Sequence, residues 1–202
     1  MADIVVAVVG DSISAGSPLW DPDEAVRARI ASPDERSQWQ FWASRGDARL
    51  EFRTTAVYGE RTDEIARRLD LVLPGADVLV VQGGINDIAK GRLVADAAAN
   101  LEAMVTRAQA LGLEVVACDV LPWNNGWPKA EAPIRELNAL IGGLGVPVLP
   151  FHDTLEDPDH RGRMKAEWTH ADGDHPSIAG YRRLGELAFS LPAGSDPGLT
   201  RA

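Results

Sequence analysis

The sequence predicts an α/β fold, a parallel β-sheet with helices on both faces. Three observations carry that prediction. Short runs, mostly rich in Val, Leu or Ile, alternate with stretches whose apolar residues recur every three or four positions. The alternation runs the whole length without an internal repeat or a low-complexity tract. Finally, 202 residues at 45% hydrophobic and 25% charged have the composition of one self-sufficient globular core. One domain over residues 1–202 is therefore expected, with a loop insertion at 17–36.

In chain order, the strands are read at Ile4 to Val9, Leu50 to Val57, Asp77 to Val81, Leu113 to Asp119 and Val146 to Leu149. The central ones are expected to be buried on both faces, as parallel sheets covered by helices require. Between them, Leu93, Ala97, Leu101, Met104, Val105, Ala108 and Leu111 mark a helix over 92–111 that Gly112 ends. Thr62 is expected to cap a shorter helix carrying Ile65, Leu69 and Val72. Pro133 opens another in its first turn, and Pro176 opens the last, carrying Tyr181, Leu184, Ala188 and Leu191. Two long polar stretches break the rhythm. Ser17 to Arg36 separates the first strand from a helix expected over Ser37 to Arg45, and a loop of that length is a candidate pocket wall. Phe151 to His175 holds all four histidines, His152, His160, His170 and His175.

Composition also excludes several functions. Twenty Lys+Arg against thirty Asp+Glu leave a net charge of -10, without the basic face that nucleic acid requires. The longest apolar run, Ile4 to Val9, is far short of the roughly 18 residues that span a bilayer. The N-terminus has an acid at Asp3 and no basic region and runs straight into a candidate catalytic motif, so this stretch is not read as a removable signal; a cytoplasmic chain is expected, and a mature form stripped of a leader would read the same way. Cys118 is the lone cysteine, which excludes an internal disulfide framework, and its strand-like surroundings predict buried apolar packing.

Gly10-Asp11-Ser12 falls where the first strand ends. Ligands of open parallel sheets bind outside the carboxyl ends of the strands, so a serine delivered there suits a nucleophile. A tripeptide of this kind is, taken alone, more often a turn or a helix cap. Gly83-Gly84-Ile85-Asn86-Asp87 ends the third strand, which in a 2-1-3-4-5 order neighbours the first, and would bring the Asn86 amide beside Ser12 as a donor to a developing oxyanion. Gly59, after the second strand, offers a backbone N–H unobstructed by a side chain, or is a turn glycine. In Asp172-Gly173-Asp174-His175-Pro176, the proline pre-sets a helical turn and places His175 at its cap, with an acid three residues earlier to fold back on the ring. Such a pair fixes the tautomer that accepts a serine proton; a solvated Asp/His turn is the plain alternative.

Together, Gly10-Asp11-Ser12, Gly59, Gly84-Ile85-Asn86-Asp87 and Asp172-x-x-His175 resemble the four blocks of the SGNH/GDSL hydrolases. The likeness spans residues 4 to about 190. It implies Ser12 as nucleophile, His175 as general base and acid, Asp172 as its orienter, and an oxyanion hole of the Ser12 N–H, the Gly59 N–H and the Asn86 side chain. Thr54 stands where the family often carries an asparagine ahead of its glycine. The likeness also implies a flavodoxin-like three-layer sandwich, a five-stranded parallel sheet in the order 2-1-3-4-5. GDSIS lacks the GxSxG elbow of the α/β-hydrolases.

Trp20, Trp123, Trp127 and Trp168 fall in expected loops on the Ser12 face and are candidates for an acyl pocket or a stacking platform, or for loop anchors. Trp39 and Trp42 are read as core. The spacing of the histidines matches neither H-E-x-x-H nor a zinc-finger pair, and no glycine-rich phosphate cradle is present, so no metal and no cofactor are expected. The reading is a serine esterase acting on a small-molecule carboxylic ester through an acyl-enzyme. An idle small-ligand or carbohydrate-binding module and a metal-dependent hydrolase are the alternatives.

Overall fold

The apolar runs form β1 (Ile4–Gly10), β2 (Leu50–Ala56), β3 (Val78–Val81), β4 (Glu114–Cys118) and β5 (Val148–Leu149) in a computed structural model that describes residues 4–192. Asp3 and the two ends of the expected 1–202 domain lie outside the described residues. The strands pair in parallel in the order β2-β1-β3-β4-β5, as predicted. Gly10 aligns with Ala56 and Val9 with Val81, so the carboxyl ends of β1, β2 and β3 finish on one edge.

Among the described residues the helices are α1 (Ser12–Ala15), α2 (Glu24–Arg27), α3 (Trp39–Gly46), α4 (Thr62–Ala66), α5 (Ile85–Ala89), α6 (Val94–Ala110), α7 (Glu131–Gly142), α8 (Phe151–Leu155) and α9 (Ile178–Arg183). Strand side chains alternate between the two faces. Ala7, Val9, Leu79, Val81 and Val115 pack against Ile65 of α4, Leu101 and Met104 of α6 and Leu137 of α7. Ile4, Val6, Val8, Val78 and Cys118 face the other layer, against Trp39 of α3, Phe151 and Leu155 of α8 and Tyr181 of α9. This is the flavodoxin-like sandwich. Leu101 lies fully inside, so its truncation to Ala would cost about 2–5 kcal/mol. Trp39 is the hub of the second layer, its ring within 5.7 Å of Phe52, Phe151 and Phe189. No described helix is long and apolar enough to cross a membrane.

Three local expectations need correction. Thr62 does not cap α4: it is the first helical residue, and its N–H and hydroxyl both donate to the buried Asp87 carboxylate at 2.9 Å. His175 does not cap α9 either. The cap is Ser177, whose hydroxyl accepts the Gly180 N–H, because Thr169 and Pro176 bridge and close the 170–175 loop ahead of the helix. The 17–36 excursion holds α2 and folds back on the second layer: Asp34 N–H donates to Leu19 O at 2.8 Å, Ser37 Oγ to Gly16 O at 2.7 Å, and the Tyr181 hydroxyl to Ser17 O at 2.9 Å. After β5, the polar segment continues as α8 and an antiparallel ribbon, β6 (Glu156–Asp157) and β7 (His160–Met164), which no apolar run announces.

Candidate active site

The turn after β1 is held by a side chain from its neighbour. Gln82, one residue past β3, accepts the N–H groups of Asp11 and Ser14 on its Oε1, both at 3.2 Å, and donates its Nε2 to Asp11 Oδ1 at 2.9 Å. Residue 10 must be glycine, because a Cβ there would stand 2.6 Å from Gln82 Oε1. Asp11 caps α1 by accepting the Ile13 N–H at 3.0 Å, which makes Ser12 the first helical residue. Burial pushes the Asp11 carboxyl up, against the opposing pull of the Ile13 N–H and the Gln82 amide. The amides of Asp11, Ile13 and Ser14 are thus all engaged, whereas the Ser12 N–H meets no protein acceptor among the described residues.

Two further donors face the same place. Asn86 is the second residue of α5, and its Nδ2 donates to Glu60 O at 2.9 Å and reaches Asp11 Oδ2 only at 3.5 Å. Gly59 adopts a φ of 76°, open to glycine and unfavourable for other residues. Its carbonyl is pinned by Lys90 Nζ at 2.7 Å, and its N–H has no protein acceptor among the described residues.

The third part comes from the 170–175 loop. His175 is buried, and its Nδ1 lies 2.8 Å from Asp172 Oδ2, while its own N–H donates to Asp172 Oδ1 at 3.1 Å. Partial burial pushes the Asp172 carboxyl up, but the Asp174 N–H, the His175 ring and the His175 N–H outweigh it and hold the group below the usual carboxylate range. His170 Nδ1 approaches the same Asp172 oxygen at 3.1 Å. With Nδ1 engaged by the carboxylate, Nε2 is the nitrogen His175 has left for a proton transfer. The exposed Tyr58 ring leans over it, with centroids 5.8 Å apart.

Ser12, Gly59, Asn86 and His175 line one cleft of about 120 Å³ at the carboxyl ends of the strands, walled by Tyr58 and Trp123. Asp172 stands behind His175 and does not line it. A hydroxyl, a ring nitrogen and three donors around one small space can activate a nucleophile and hold an anion. His152, Asp153 and Glu156 offer ligand atoms within 4.8 Å of one another for a cation, but none of the three lines the cleft.

A sequence model of the GDSL-like lipase/acylhydrolase family matches residues 8–183. The chain belongs to that family. Solved structures share the architecture of this GDSL-like hydrolase. A GDSL-like lipase from Bacteroides thetaiotaomicron superposes with a TM-score of 0.70 at 18% identity over 92% of this chain and 85% of its own. A lipolytic protein of the G-D-S-L family from Veillonella parvula gives 0.70 at 17% over 90% and 94%. The lipase/acylhydrolase from Enterococcus faecalis gives 0.69 at 22% over 90% and 91%. A search of curated proteins returns no match.

Within the GDSL-like hydrolase, the four tryptophans do not act together. Trp123 walls the cleft and donates its Nε1 to Asp174 Oδ1 at 2.6 Å. Trp20 carries Arg27 on its ring, Trp127 carries Arg163, and Trp168 is covered by Lys165 and Arg183. None of these three lines the cleft, and neither does any residue of 17–36, so the expected pocket wall is instead a brace between the first turn and α9. Gln82 and Tyr58 escaped the sequence reading. A glutamine directly after the apolar run of β3 was the available signal for the first. Nothing local marks the second.

Proposed function

We propose that this hydrolase is a serine esterase in which Ser12 attacks the carbonyl carbon of a small carboxylic ester. His175 Nε2 takes the Ser12 proton and returns it to the departing alcohol, and Asp172 steadies the imidazolium through Nδ1. The N–H groups of Ser12 and Gly59 and the Asn86 amide hold the tetrahedral oxyanion. Water, deprotonated by His175, then releases the acid and restores Ser12. The observation that carries this reading is the meeting of Ser12 with an Asp172-held His175 and two otherwise unengaged backbone N–H groups in one cleft. Labelling with a small phosphonate ester tests it. Ser12 should be modified and turnover abolished, and Ser12→Ala should lose both labelling and ester hydrolysis while keeping its fold by circular dichroism. Full turnover by Ser12→Ala refutes the serine mechanism.

A further inference from the structure

Beside the cleft lies a second, narrower space that shares Ile13, Ile85, Trp123 and Asp174 with it. The two therefore adjoin, with these four side chains at their boundary. This slot has a volume of about 10 Å³, room for one water or one methyl group. We propose that the slot is the acyl subsite and that it fits an acetyl group, with Trp123 as its side wall and the Asp119 carboxyl closing its inner end. The inference rests on the serine-esterase reading above and names its substrate class, an acetic ester.

Direction decides which part of the ester enters. Gly59 and Asn86 line the cleft but not the slot, so an oxyanion held by them points away from the slot. A methyl on the same carbon is then directed between Ile13 and Ile85, and the alcohol is left to the rim beneath the exposed Tyr58. The reaction balances on these atoms alone. The Ser12 Oγ–carbon bond forms as the carbon–alkoxide bond breaks, and the proton moves from Oγ through His175 to the alkoxide. Water reverses the exchange to give acetate and free Ser12.

The walls do not yield to a longer chain. Trp123 is tied through Nε1 to Asp174, whose Oδ1 is held again by Asn125 Nδ2 at 2.7 Å. Gly126 packs so closely on the indole that a Cβ there would lie 2.1 Å from a ring carbon, which sets backbone against the ring. Phe151, on another wall, is wholly buried in the second layer. At the closed end, Asp119 Oδ1 accepts the His152 N–H at 2.6 Å, anchoring the carboxyl to the start of α8. A second or third methylene pushed against it would strip water from a polar group and offer it no hydrogen bond in return.

The test is kcat/KM of the full chain on p-nitrophenyl acetate, butyrate and octanoate, with phosphonate labelling of Ser12 run alongside. Acetate should exceed butyrate at least about tenfold, the scale on which a tight pocket penalises misfitting methylenes, and octanoate should be hydrolysed more slowly still. Trp123→Ala should raise the butyrate-to-acetate ratio by about tenfold or more. Should that variant not fold, Ile85→Val, which removes one methyl from the opposite wall, should move the ratio the same way. A wild-type profile flat or rising with chain length, on a chain whose Ser12 is labelled, overturns the acetyl slot alone. An unlabelled Ser12 with no ester hydrolysed overturns the serine reading, and the acetyl assignment falls with it.

Discussion

Asp119 gives the most quantitative handle on the slot. Burial pushes its carboxyl up to about 7 from an ordinary value of 3.8, opposed by the His152 and Phe151 N–H groups and reinforced by the nearby Asp153 charge. Between those two values the folded chain holds a proton that the unfolded chain has released. The contribution to stability is therefore fully present below pH 3.8 and is lost as pH rises through about 7. A shift of about three units at roughly 1.4 kcal/mol each sets a ceiling of about 4 kcal/mol. Asp119→Asn keeps one oxygen for the His152 N–H and removes the titration. Urea unfolding of both proteins at matched pH isolates Asp119 and the groups coupled to it, because titrating groups distant from it cancel in the difference. From about pH 4.5 to pH 8, wild type should lose about 3 kcal/mol relative to Asp119→Asn. A difference that stays level within about 1 kcal/mol over that range would refute the half-buried, protonatable carboxyl at the closed end.

Two other substitutions separate the site from its frame. Asn86→Ala should lower kcat by about 10² to 10³ with little change in KM, because an oxyanion donor acts in the transition state; a raised KM with unchanged kcat would make Asn86 a substrate-binding residue instead. Trp20→Ala, or a shortening between Pro18 and Pro33, should leave the acyl-length profile unchanged while lowering the unfolding midpoint. A shifted profile would return that excursion to the pocket.

The sheet was legible because every strand but β2 is a short, mostly apolar run between breakers, a signal that needs no partner to be recognised, and β2 begins as an alternation of apolar and polar residues. α6 was legible for the same reason: Ala97, Leu101, Met104, Val105 and Ala108 share one face, and all are buried. The site blocks were found because they fall at strand ends. What could not be read depends on contacts distant in sequence. Thr62 looks like a cap until Asp87, 25 residues on, takes both of its donors. His175 looks like the start of a helix until Thr169 pairs with Pro176 and hands the cap to Ser177. Trp20, Trp127 and Trp168 read like Trp123 as aromatic side chains in loops, and it takes the cations stacked on them, and the second core layer under Trp168, to show that they brace loops.

The buried Asp11 links these levels. A carboxyl pushed up by burial is a poor stabiliser of a fold, and an apolar side chain of similar size could fill its place at no loss of packing. Its partners say what it does instead. Asp11 holds the Ile13 N–H and the Gln82 amide, and Gln82 in turn takes the Asp11 and Ser14 N–H groups, so every donor around the first turn is assigned except that of Ser12. On the other side, Asn86 spends one N–H on Glu60 and aims toward Asp11 across 3.5 Å, too long for a strong bond. An oxyanion arriving between Ser12 and Asn86 would find both donors already oriented and would displace only that weak contact. The orienting cost is met during folding rather than during the reaction, which is the condition for electrostatic stabilisation to lower a barrier. A valine at position 11 would keep the site filled and lose the alignment, leaving Ser12 at the strand end as an ordinary helix N-terminus.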